Sequence, residues 1–203
     1  MNILFYAITA AAAYFIGCTN PAWAISKLKG VDMRSGGSGN LGTCNSVVML
    51  GFRWGVVVCL YDMGKAALAV ALARLIFPEL RFAAEIAGAA CVLGHIFPFY
   101  LKFRGGKGFA SYLGMTLALD WKFALALLLA VVVITVVTDY IVFATLTTVV
   151  TVPVYAGIFR FGLLAVIPLV IASLVIIWKH RENFVRLKNG TEIRLRAVFG
   201  GRT

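Results

Sequence analysis

The sequence has few charged residues and, among them, few acids. Of its 203 residues only 13% are charged, with eight acidic residues against 19 lysines and arginines, whereas 62% are hydrophobic. Soluble domains are on average about one quarter charged and half apolar, so this composition excludes an ordinary soluble protein and indicates an integral membrane protein. The net charge of +11 favours a surface that attracts anionic lipids and anionic substrates.

Patterns for metal binding and disulfide formation are also missing. The sequence has two histidines and four cysteines, and neither cysteines nor carboxylates occur at metal-ligand spacing. We therefore expect no metal site and no cofactor, and we interpret the cysteines as small packing residues rather than a disulfide framework. A nucleic-acid partner is not expected either.

Long uncharged runs predict the membrane spans, since about 20 apolar residues cross a bilayer. Three runs are uninterrupted, at residues 1–26, 141–159 and 161–178. We interpret the first as an uncleaved helix, because no basic residue precedes it. Three further runs are shorter or contain charged residues, and we count them as spans too: residues 54–77, 82–101 and 123–138.

Residues 108–119 decide the number of crossings. This apolar segment is too short to cross a bilayer alone, which leaves a short tilted helix, a re-entrant segment or a helix buried in protein as alternatives. Counting the segment as a crossing gives seven helices, and merging it with its neighbour gives five.

Basic residues are concentrated in three regions. Residues 27–46, 102–108 and 179–203 hold 13 of the 19 lysines and arginines, and basic residues in short loops collect on the cytoplasmic side of a membrane. Seven crossings put all three regions inside, with the N-terminus out and the C-terminus in. We therefore predict an all-α integral membrane protein, a polytopic bundle of seven helices, one of them short, that forms a single transmembrane domain over residues 1–203.

Two of the three basic regions are rich in glycine: "GGSGNLGTCN" at residues 36–45 and "RGGKG" at residues 104–108. Glycine lets backbone N–H groups approach an anion, and Lys107 adds a positive charge. A helix that begins near Asn45, and another near Gly108, would direct its positive end to the same place. One such loop alone would be interpreted as a flexible turn. Three such regions on the cytoplasmic face of the membrane favour a phosphate site.

The third region, "KHRENFVRLKNGTE" at residues 179–192, contains His180 and Asn183, whose spacing puts both on one face of a helix. An interfacial anchor is the alternative role for this histidine. The second region is not a nucleotide-hydrolysis loop, because Gly108 rather than Ser or Thr follows Lys107.

Three stretches resemble, in order, the signature motifs of the bacterial acyl-phosphate-dependent glycerol-3-phosphate acyltransferases: "GSGNLGTCN", "GHIFPFYLKFRGGKGFASYLG" and "KHRENFVRLKNGTEIR". The resemblance implies a small seven-helix enzyme that moves a fatty acyl group from acyl phosphate to the 1-position of glycerol 3-phosphate. Its products would be lysophosphatidate and phosphate, the first step of bacterial phospholipid synthesis. It also implies the cytoplasmic (inner) membrane with a cytoplasmic active site, and a monomer is compatible with the sequence.

The resemblance also implies site residues. The catalytic residues would be Ser38, Lys107, His180 and Asn183. The backbone N–H groups of Gly39, Gly105 and Gly106 would serve as oxyanion and phosphate donors. For His95, fixing a turn through backbone hydrogen bonds is an equal alternative to substrate contact. The full set of substrate-binding residues would be Gly37, Gly39, Asn40, Gly42, Asn45, Arg53, His95, Gly105, Gly106 and Gly108.

The source of the general base is less obvious from the sequence. Neither histidine is followed five residues later by aspartate, the pairing of many other glycerolipid acyltransferases. Because acyl phosphate is already activated, we expect the substrate's own phosphate to accept the hydroxyl proton while Lys107 stabilises charge. A Ser38 nucleophile is the rival mechanism, but no activating base adjoins it in the sequence.

Several positions need a separate interpretation. Asp62 and Lys65 lie in "YDMGKA", which resembles an Asp-x-x-Lys segment of the family, and an internal salt bridge is favoured for them. Val48 stands where the family has an arginine that holds phosphate, and Arg53 is the nearest basic residue after it. Cys44 and Asp139 replace the expected Thr and Arg. The alternatives are a divergent enzyme for another phosphorylated acceptor, a transporter of a phosphorylated solute, and a lipid-binding scaffold.

Overall fold

A computed structural model describes residues 2–160 and 163–199 of the chain. Met1, the first two residues of the predicted last span (161 and 162) and residues 200–203 of the predicted third region lie outside the described residues. The described residues form eleven α-helices and no β-strand: α1 Asn2–Cys18, α2 Pro21–Lys29, α3 Thr43–Leu50, α4 Phe52–Ile76, α5 Ala83–Ile96, α6 Phe109–Leu119, α7 Trp121–Thr138, α8 Ile141–Tyr155, α9 Leu163–Lys179, α10 Arg181–Lys188 and α11 Leu195–Phe199.

The predicted class, an all-helical membrane protein with several crossings, is confirmed. Within the described residues five helical segments are long and apolar enough to cross a bilayer: Ile3–Lys29, Phe52–Ile76, Ala83–Leu101, Trp121–Thr138 and Ile141–Phe159. Helix α6 has 11 residues and α9 has 17. The count of seven crossings therefore stays a prediction.

The chain divides by its internal contacts into two compact units, Met1–Leu119 and Asp120–Thr203, and the single transmembrane domain over residues 1–203 stays a prediction. In the first unit, α1 packs against α5, α5 and α6 pack against α4, and α3 folds back on the beginning of α4. Two glycines bring α1 and α5 together, because a Cβ on Gly17 would overlap the carbonyl of Cys91 and one on Gly94 would overlap that of Tyr14. Small residues commonly permit such close packing of membrane helices.

The first predicted span is not one continuous helix. Helix α1 ends at Cys18 and α2 begins at Pro21. Between them, Asn20 has an extended backbone, and its side-chain oxygen accepts a hydrogen bond of 2.8 Å from the N–H of Trp23. Asparagine at the N-cap followed by proline at the first helical position is a strong start signal, and it interrupts the apolar run here.

Helix α6 runs in the same direction as α4. Gly114, near its middle, lies against the backbone of Met63, where a Cβ would overlap the Met63 carbonyl. At the end of α6, the guanidinium of Arg74 donates to the carbonyl oxygens of Ala118 and Leu119 at 2.6 and 3.1 Å. The loop that precedes α6, residues 102–108, consequently lies beside the first half of α4.

In the second unit, α7 and α8 are joined by a tight turn at Asp139, whose φ of 67° is left-handed. The carbonyl of Asp139 accepts a hydrogen bond from the N–H of Leu195 at 2.9 Å, and its carboxylate accepts one from the N–H of Arg196 at 2.8 Å. The predicted third loop is therefore largely helical, comprising α10 and α11, and its second half is attached to the α7–α8 turn.

Candidate active site

The first glycine loop is folded around the side chain of Asn45, which is buried at 1% exposure. Its amide nitrogen donates to the carbonyl oxygens of Met33 and Asn40 at 2.8 and 2.9 Å, and its oxygen accepts from the N–H of Ser38 at 2.8 Å. Because both N–H groups of the amide are used by the backbone, Asn45 shapes the loop. The substrate-binding role of Asn45 stays a prediction.

The structure brings the first and second glycine loops into contact. The guanidinium of Arg34 donates to the carbonyl of Arg104 at 2.9 Å. A Cβ built on Gly42 would lie 4.0 Å from the Cα of Gly106, with nothing closer. The amide of Asn20 also donates to the carbonyl of Leu41 at 3.2 Å, which attaches the first loop to the start of α2.

A helix begins at the end of each loop. Helix α3 starts at Thr43, directly after Gly42, and its N-cap glycine provides no side-chain cap. Helix α6 starts at Phe109, directly after Gly108. The N–H groups of a first helical turn have no acceptor within the helix, and they carry the positive end of the helix dipole. The contact between Gly42 and Gly106 therefore brings two such helix starts to the same part of the unit, as needed to bind an anion.

The N–H groups predicted as oxyanion donors are used within the protein. Gly105 donates to the carbonyl of Ile96 at 3.0 Å and Gly106 to that of His95 at 3.1 Å, which ends helix α5. Gly39 donates to the carbonyl of Gly36 at 3.0 Å. The three glycines therefore hold the loops in shape, and their role as oxyanion and phosphate donors stays a prediction.

Two glycines of the second loop are required by close packing. A Cβ on Gly106 would overlap Nε2 of the His95 imidazole, and one on Gly108, whose φ is 90°, would press on Ile96. His95 is 3% exposed. The backbone carbonyl of His95 takes part in the turn that leads to Lys107 through the N–H of Gly106, and substrate contact stays a prediction.

Asp62 and Lys65 form the predicted internal salt bridge, with 2.7 Å between Oδ1 and Nζ and both side chains buried. Sequence reasoning missed the link to His95, whose Nδ1 lies 2.9 Å from Nζ of Lys65 and 3.2 Å from the Asp62 oxygen. The available signal was that all three are ionisable residues inside apolar spans, where such groups are expensive and pair with one another.

The remaining residues of the first unit are placed as follows. Lys107 and Ser38 are half-buried, Lys107 between two packed glycines and Ser38 with its N–H on Asn45. Val48 faces the first loop, because its Cγ1 is 3.4 Å from a Cβ built on Gly37. Arg53 is exposed in the first turn of α4.

In the second unit, His180 and Asn183 are both buried, at 5% and 6% exposure. His180 is the N-cap residue of α10, and its Nδ1 lies 2.8 Å from the carbonyl of Ile176. Since a carbonyl only accepts, Nδ1 carries the hydrogen and Nε2 carries the lone pair in the neutral ring.

Asn183 belongs to a small polar network that the sequence did not predict. Its amide donates to Oε1 of Glu192 at 2.7 Å, and Nε of Arg186 donates to Oε2 of the same carboxylate at 2.8 Å. Glu192 is 8% exposed. The available signal was that Glu192 is one of only two acidic residues, with Glu182, in an otherwise basic segment. Among residues 2–160 and 163–199, no group of three or more His, Cys, Asp and Glu is placed to hold a metal ion.

Comparison with known proteins assigns the chain to a family. The profile of the family described as glycerol-3-phosphate acyltransferase matches residues 7–190. Glycerol-3-phosphate acyltransferase 1 of Oceanobacillus iheyensis is 30% identical over 204 residues, covering 97% of this chain and 98% of that protein. The glycerol-3-phosphate acyltransferase of Dinoroseobacter shibae is 41% identical over 194 residues, covering 94% and 93%.

Solved structures give the same result. The glycerol 3-phosphate form of PlsY (YgiH), an integral membrane glycerol 3-phosphate acyltransferase, is 30% identical, with a TM-score of 0.90 over 98% of this chain and 99% of that one. The lysophosphatidic acid form of PlsY has a TM-score of 0.84 at 31% identity, covering 93% and 94%. The chain belongs to the glycerol-3-phosphate acyltransferase family of integral membrane proteins.

Proposed function

We propose that the chain transfers a fatty acyl group from acyl phosphate to the 1-position of glycerol 3-phosphate, giving lysophosphatidate and phosphate as the first step of bacterial phospholipid synthesis. The observation that carries this proposal is the contact of the two glycine loops at Gly42 and Gly106, each followed at once by the start of a helix. Two helix starts suit a reaction in which both substrates carry phosphate.

Glycerol 3-phosphate as the acceptor is supported by family membership and by the similar structure of PlsY in its glycerol 3-phosphate form. The donor rests on chemistry and on the resemblance of the three motifs. A phosphate leaving group needs no nucleotide-binding element, and the second glycine loop lacks the Ser or Thr of a nucleotide-hydrolysis loop after Lys107.

The proposed reaction needs no covalent intermediate with the protein. The 1-hydroxyl oxygen attacks the acyl carbonyl carbon, the bond from that carbon to the phosphate oxygen breaks, and the hydroxyl proton passes to a substrate phosphate oxygen. Lys107 and the positive ends of α3 and α6 stabilise the negative charge that develops. Such electrostatic stabilisation acts without strong general-base help, because the acyl group is already activated.

A serine nucleophile is disfavoured by the surroundings of Ser38. Its N–H is held by Asn45. Among the described residues no histidine or carboxylate is hydrogen-bonded to its hydroxyl, whereas an activated serine needs an adjacent base. His180 and Asn183 stay predicted substrate residues, and the lone pair on Nε2 of His180 suits it to accept a hydrogen bond from a hydroxyl group.

We further propose seven crossings in the cytoplasmic membrane, with the N-terminus outside and the glycine loops at the cytoplasmic side. In the first unit, the hydrogen bond from Arg34 to Arg104 supports placing both glycine loops on the same side of the membrane, with α4 and α5 as the two crossings between them. In the second unit, the hydrogen bonds from Leu195 and Arg196 to Asp139 support placing the α7–α8 turn and the C-terminal segment on the same side of the membrane.

The donor is tested with purified protein in detergent and radiolabelled glycerol 3-phosphate. Palmitoyl phosphate, palmitoyl-CoA and an acyl carrier protein thioester are offered separately. We expect labelled lysophosphatidate from palmitoyl phosphate and little from either thioester. Comparable turnover from a thioester would overturn the donor assignment while leaving the acyltransferase family unaffected.

One observation favours a second candidate, a divergent enzyme that acylates another phosphorylated acceptor. Val48 occupies the position of a phosphate-holding arginine in the resemblance, and its side chain faces the first loop at Gly37. The same assay with other phosphorylated polyols as acceptors separates the two candidates. A higher kcat/KM for another acceptor than for glycerol 3-phosphate would favour the divergent enzyme.

A further inference from the structure

Three ionisable side chains of the first unit meet in its interior. Asp62 and Lys65 come from the middle of α4, and His95 comes from the last turn of α5. Their exposures are 1%, 5% and 3%. Lys65 contacts the other two at once, at 2.7 Å from the carboxylate and 2.9 Å from Nδ1 of the imidazole. We call Asp62, Lys65 and His95 the buried ionic cluster.

A contribution to stability does not explain the buried ionic cluster. Removing a carboxylate and an ammonium from water costs several kcal/mol per ion, and well-packed apolar residues in place of a buried pair are often neutral or stabilising. Ionisable groups inside membrane spans are accordingly rare and mark functional positions. Salt bridging between neighbouring helical turns therefore does not by itself account for these residues.

The cluster is in direct contact with the second glycine loop. The ring of His95 fills the space where a Cβ on Gly106 would lie, and the backbone carbonyl of His95 accepts the N–H of Gly106 at 3.1 Å. Lys107 is the next residue. The rotation of the imidazole consequently sets how closely the loop approaches α5, and Nδ1 of that ring is the atom held by Lys65 and Asp62.

Lys65 also connects the cluster to the break in the first apolar run. Its ammonium donates to the carbonyl of Thr19 at 2.6 Å. That carbonyl lies between α1 and α2, and the N–H of Trp23, which would donate to it in a regular helix, donates to the side chain of Asn20 instead. One side chain thus holds the α1–α2 break, the carboxylate of Asp62 and the ring that supports the loop.

We propose that Asp62 and Lys65 are positioning residues for the acyl transfer: they fix the ring of His95 and, through its contact with Gly106, the position of Lys107. They do not touch substrate. The inference rests on the proposed function, because it assigns Lys107 a role in the transition state, and it adds residues that act on Lys107 through protein contacts alone.

The test replaces the ion pair as a unit, with Asp62→Leu and Lys65→Met in one chain, so that no buried charge is left unpaired. The His95 ring then loses both partners on Nδ1. We expect kcat with palmitoyl phosphate and glycerol 3-phosphate to fall about tenfold or more. A displacement of a catalytic group by about 1 Å can lower the rate by up to about 100-fold. We expect KM to change much less and the melting temperature in detergent to stay close to that of the wild type.

The matched control is Arg74→Met on the same helix. Arg74 also donates to backbone carbonyl oxygens, but at the end of α6, away from the glycine loops. Its kcat should stay within about twofold of the wild type, since surface substitutions away from a site have small effects. A fall in kcat equal to that of the double variant would assign the loss to general helix packing and overturn the proposal.

Amide hydrogen–deuterium exchange provides a readout that does not depend on activity. The N–H groups of Gly105 and Gly106 are hydrogen-bonded to the end of α5, so they should exchange slowly in the wild type and faster in the double variant. Unchanged exchange in residues 102–108, or an unchanged kcat, would overturn the positioning role. If the wild type itself is inactive with acyl phosphate and glycerol 3-phosphate, the proposed function fails, and the exchange experiment still decides whether the cluster orders the loop.

Discussion

Helix α8 in the second unit and the loop region in the first unit use polar side chains in different ways. In the second unit, the hydroxyl groups of Thr145, Thr148 and Thr151 each donate to the carbonyl four residues earlier in α8. In the first unit, Arg34 and Lys65 reach carbonyl oxygens far away in the sequence, in the second loop and between α1 and α2. The threonines of α8 thus keep their bonds inside one helix, whereas Arg34 and Lys65 use theirs between elements.

This difference follows from what each unit must hold in apolar surroundings. A regular helix satisfies its own backbone, so a threonine in it needs only the preceding turn. Irregular backbone in a membrane protein is tolerated where side chains or neighbouring segments satisfy it. The first unit contains two glycine loops and a broken helix, and the long-range hydrogen bonds of Arg34 and Lys65 end on those segments. The location of such bonds is therefore a guide to the candidate active site.

The largest expected effect tests whether the supported loop carries the chemistry. Lys107→Ala should lower kcat/KM by roughly two orders of magnitude, about 2.7 kcal/mol of transition-state stabilisation. The protein should extract and melt as the wild type does, because the glycines around position 107 keep their contacts. Steady-state kinetics with palmitoyl phosphate measures the effect. Near-normal kinetics would mean that the loop is only a turn.

The next effect concerns phosphate binding by the first loop. Val48→Arg should lower KM for glycerol 3-phosphate, because position 48 faces the loop at Gly37. A charged hydrogen bond contributes about 1.5–3 kcal/mol, and binding tightens about tenfold for each 1.4 kcal/mol.

Arg53→Ala is the companion variant of Val48→Arg. If Arg53 has taken over the phosphate contact, its removal should raise KM, and Val48→Arg should restore it in the double variant. Loss of activity in Val48→Arg together with no effect of Arg53→Ala would exclude glycerol 3-phosphate as the acceptor and favour the divergent enzyme.

The smallest effects test the comparison of the two units directly. Asn20→Ala removes an N-cap and the bond to Leu41, and it should cost about 1–2 kcal/mol of stability. Thr148→Val removes one bond within α8 and should cost less than about 1 kcal/mol. Thermal unfolding in detergent measures both. Equal melting temperatures for the two variants would contradict the distinction between bonds within and between elements.

The helical class and most helix positions could be predicted because they depend on local composition. Apolar runs, one containing charged residues and one slightly short, predicted α4 over residues 54–77 and α7 over residues 123–138, and the structure has them at Phe52–Ile76 and Trp121–Thr138. The break at Asn20 was missed, because the apolar run around it is continuous in hydropathy, although the Asn-Pro start signal was present.

Site prediction was limited by long-range contacts. The sequence identified glycine loops, Lys107 and an Asp62–Lys65 pair, since each is a local pattern. It could not show that the N–H groups of Gly105 and Gly106 end helix α5, because this depends on how the chain turns after Pro98. Nor could it show that Asn45 folds the loop from within, because donor side chains in a glycine-rich segment look alike whether they bind ligand or backbone.

The attachment of the C-terminal segment to Asp139 has a practical consequence for mapping the protein in cells. The N–H of Leu195 is hydrogen-bonded to the carbonyl of Asp139. A membrane-impermeant label at residue 195 and one at residue 139 must therefore report the same side of the membrane. Arg34 and Arg104 form an equivalent pair in the other unit. Labels at these four positions thus provide an internal check, since two labels of one pair that disagree would report a misassembled protein rather than a topology.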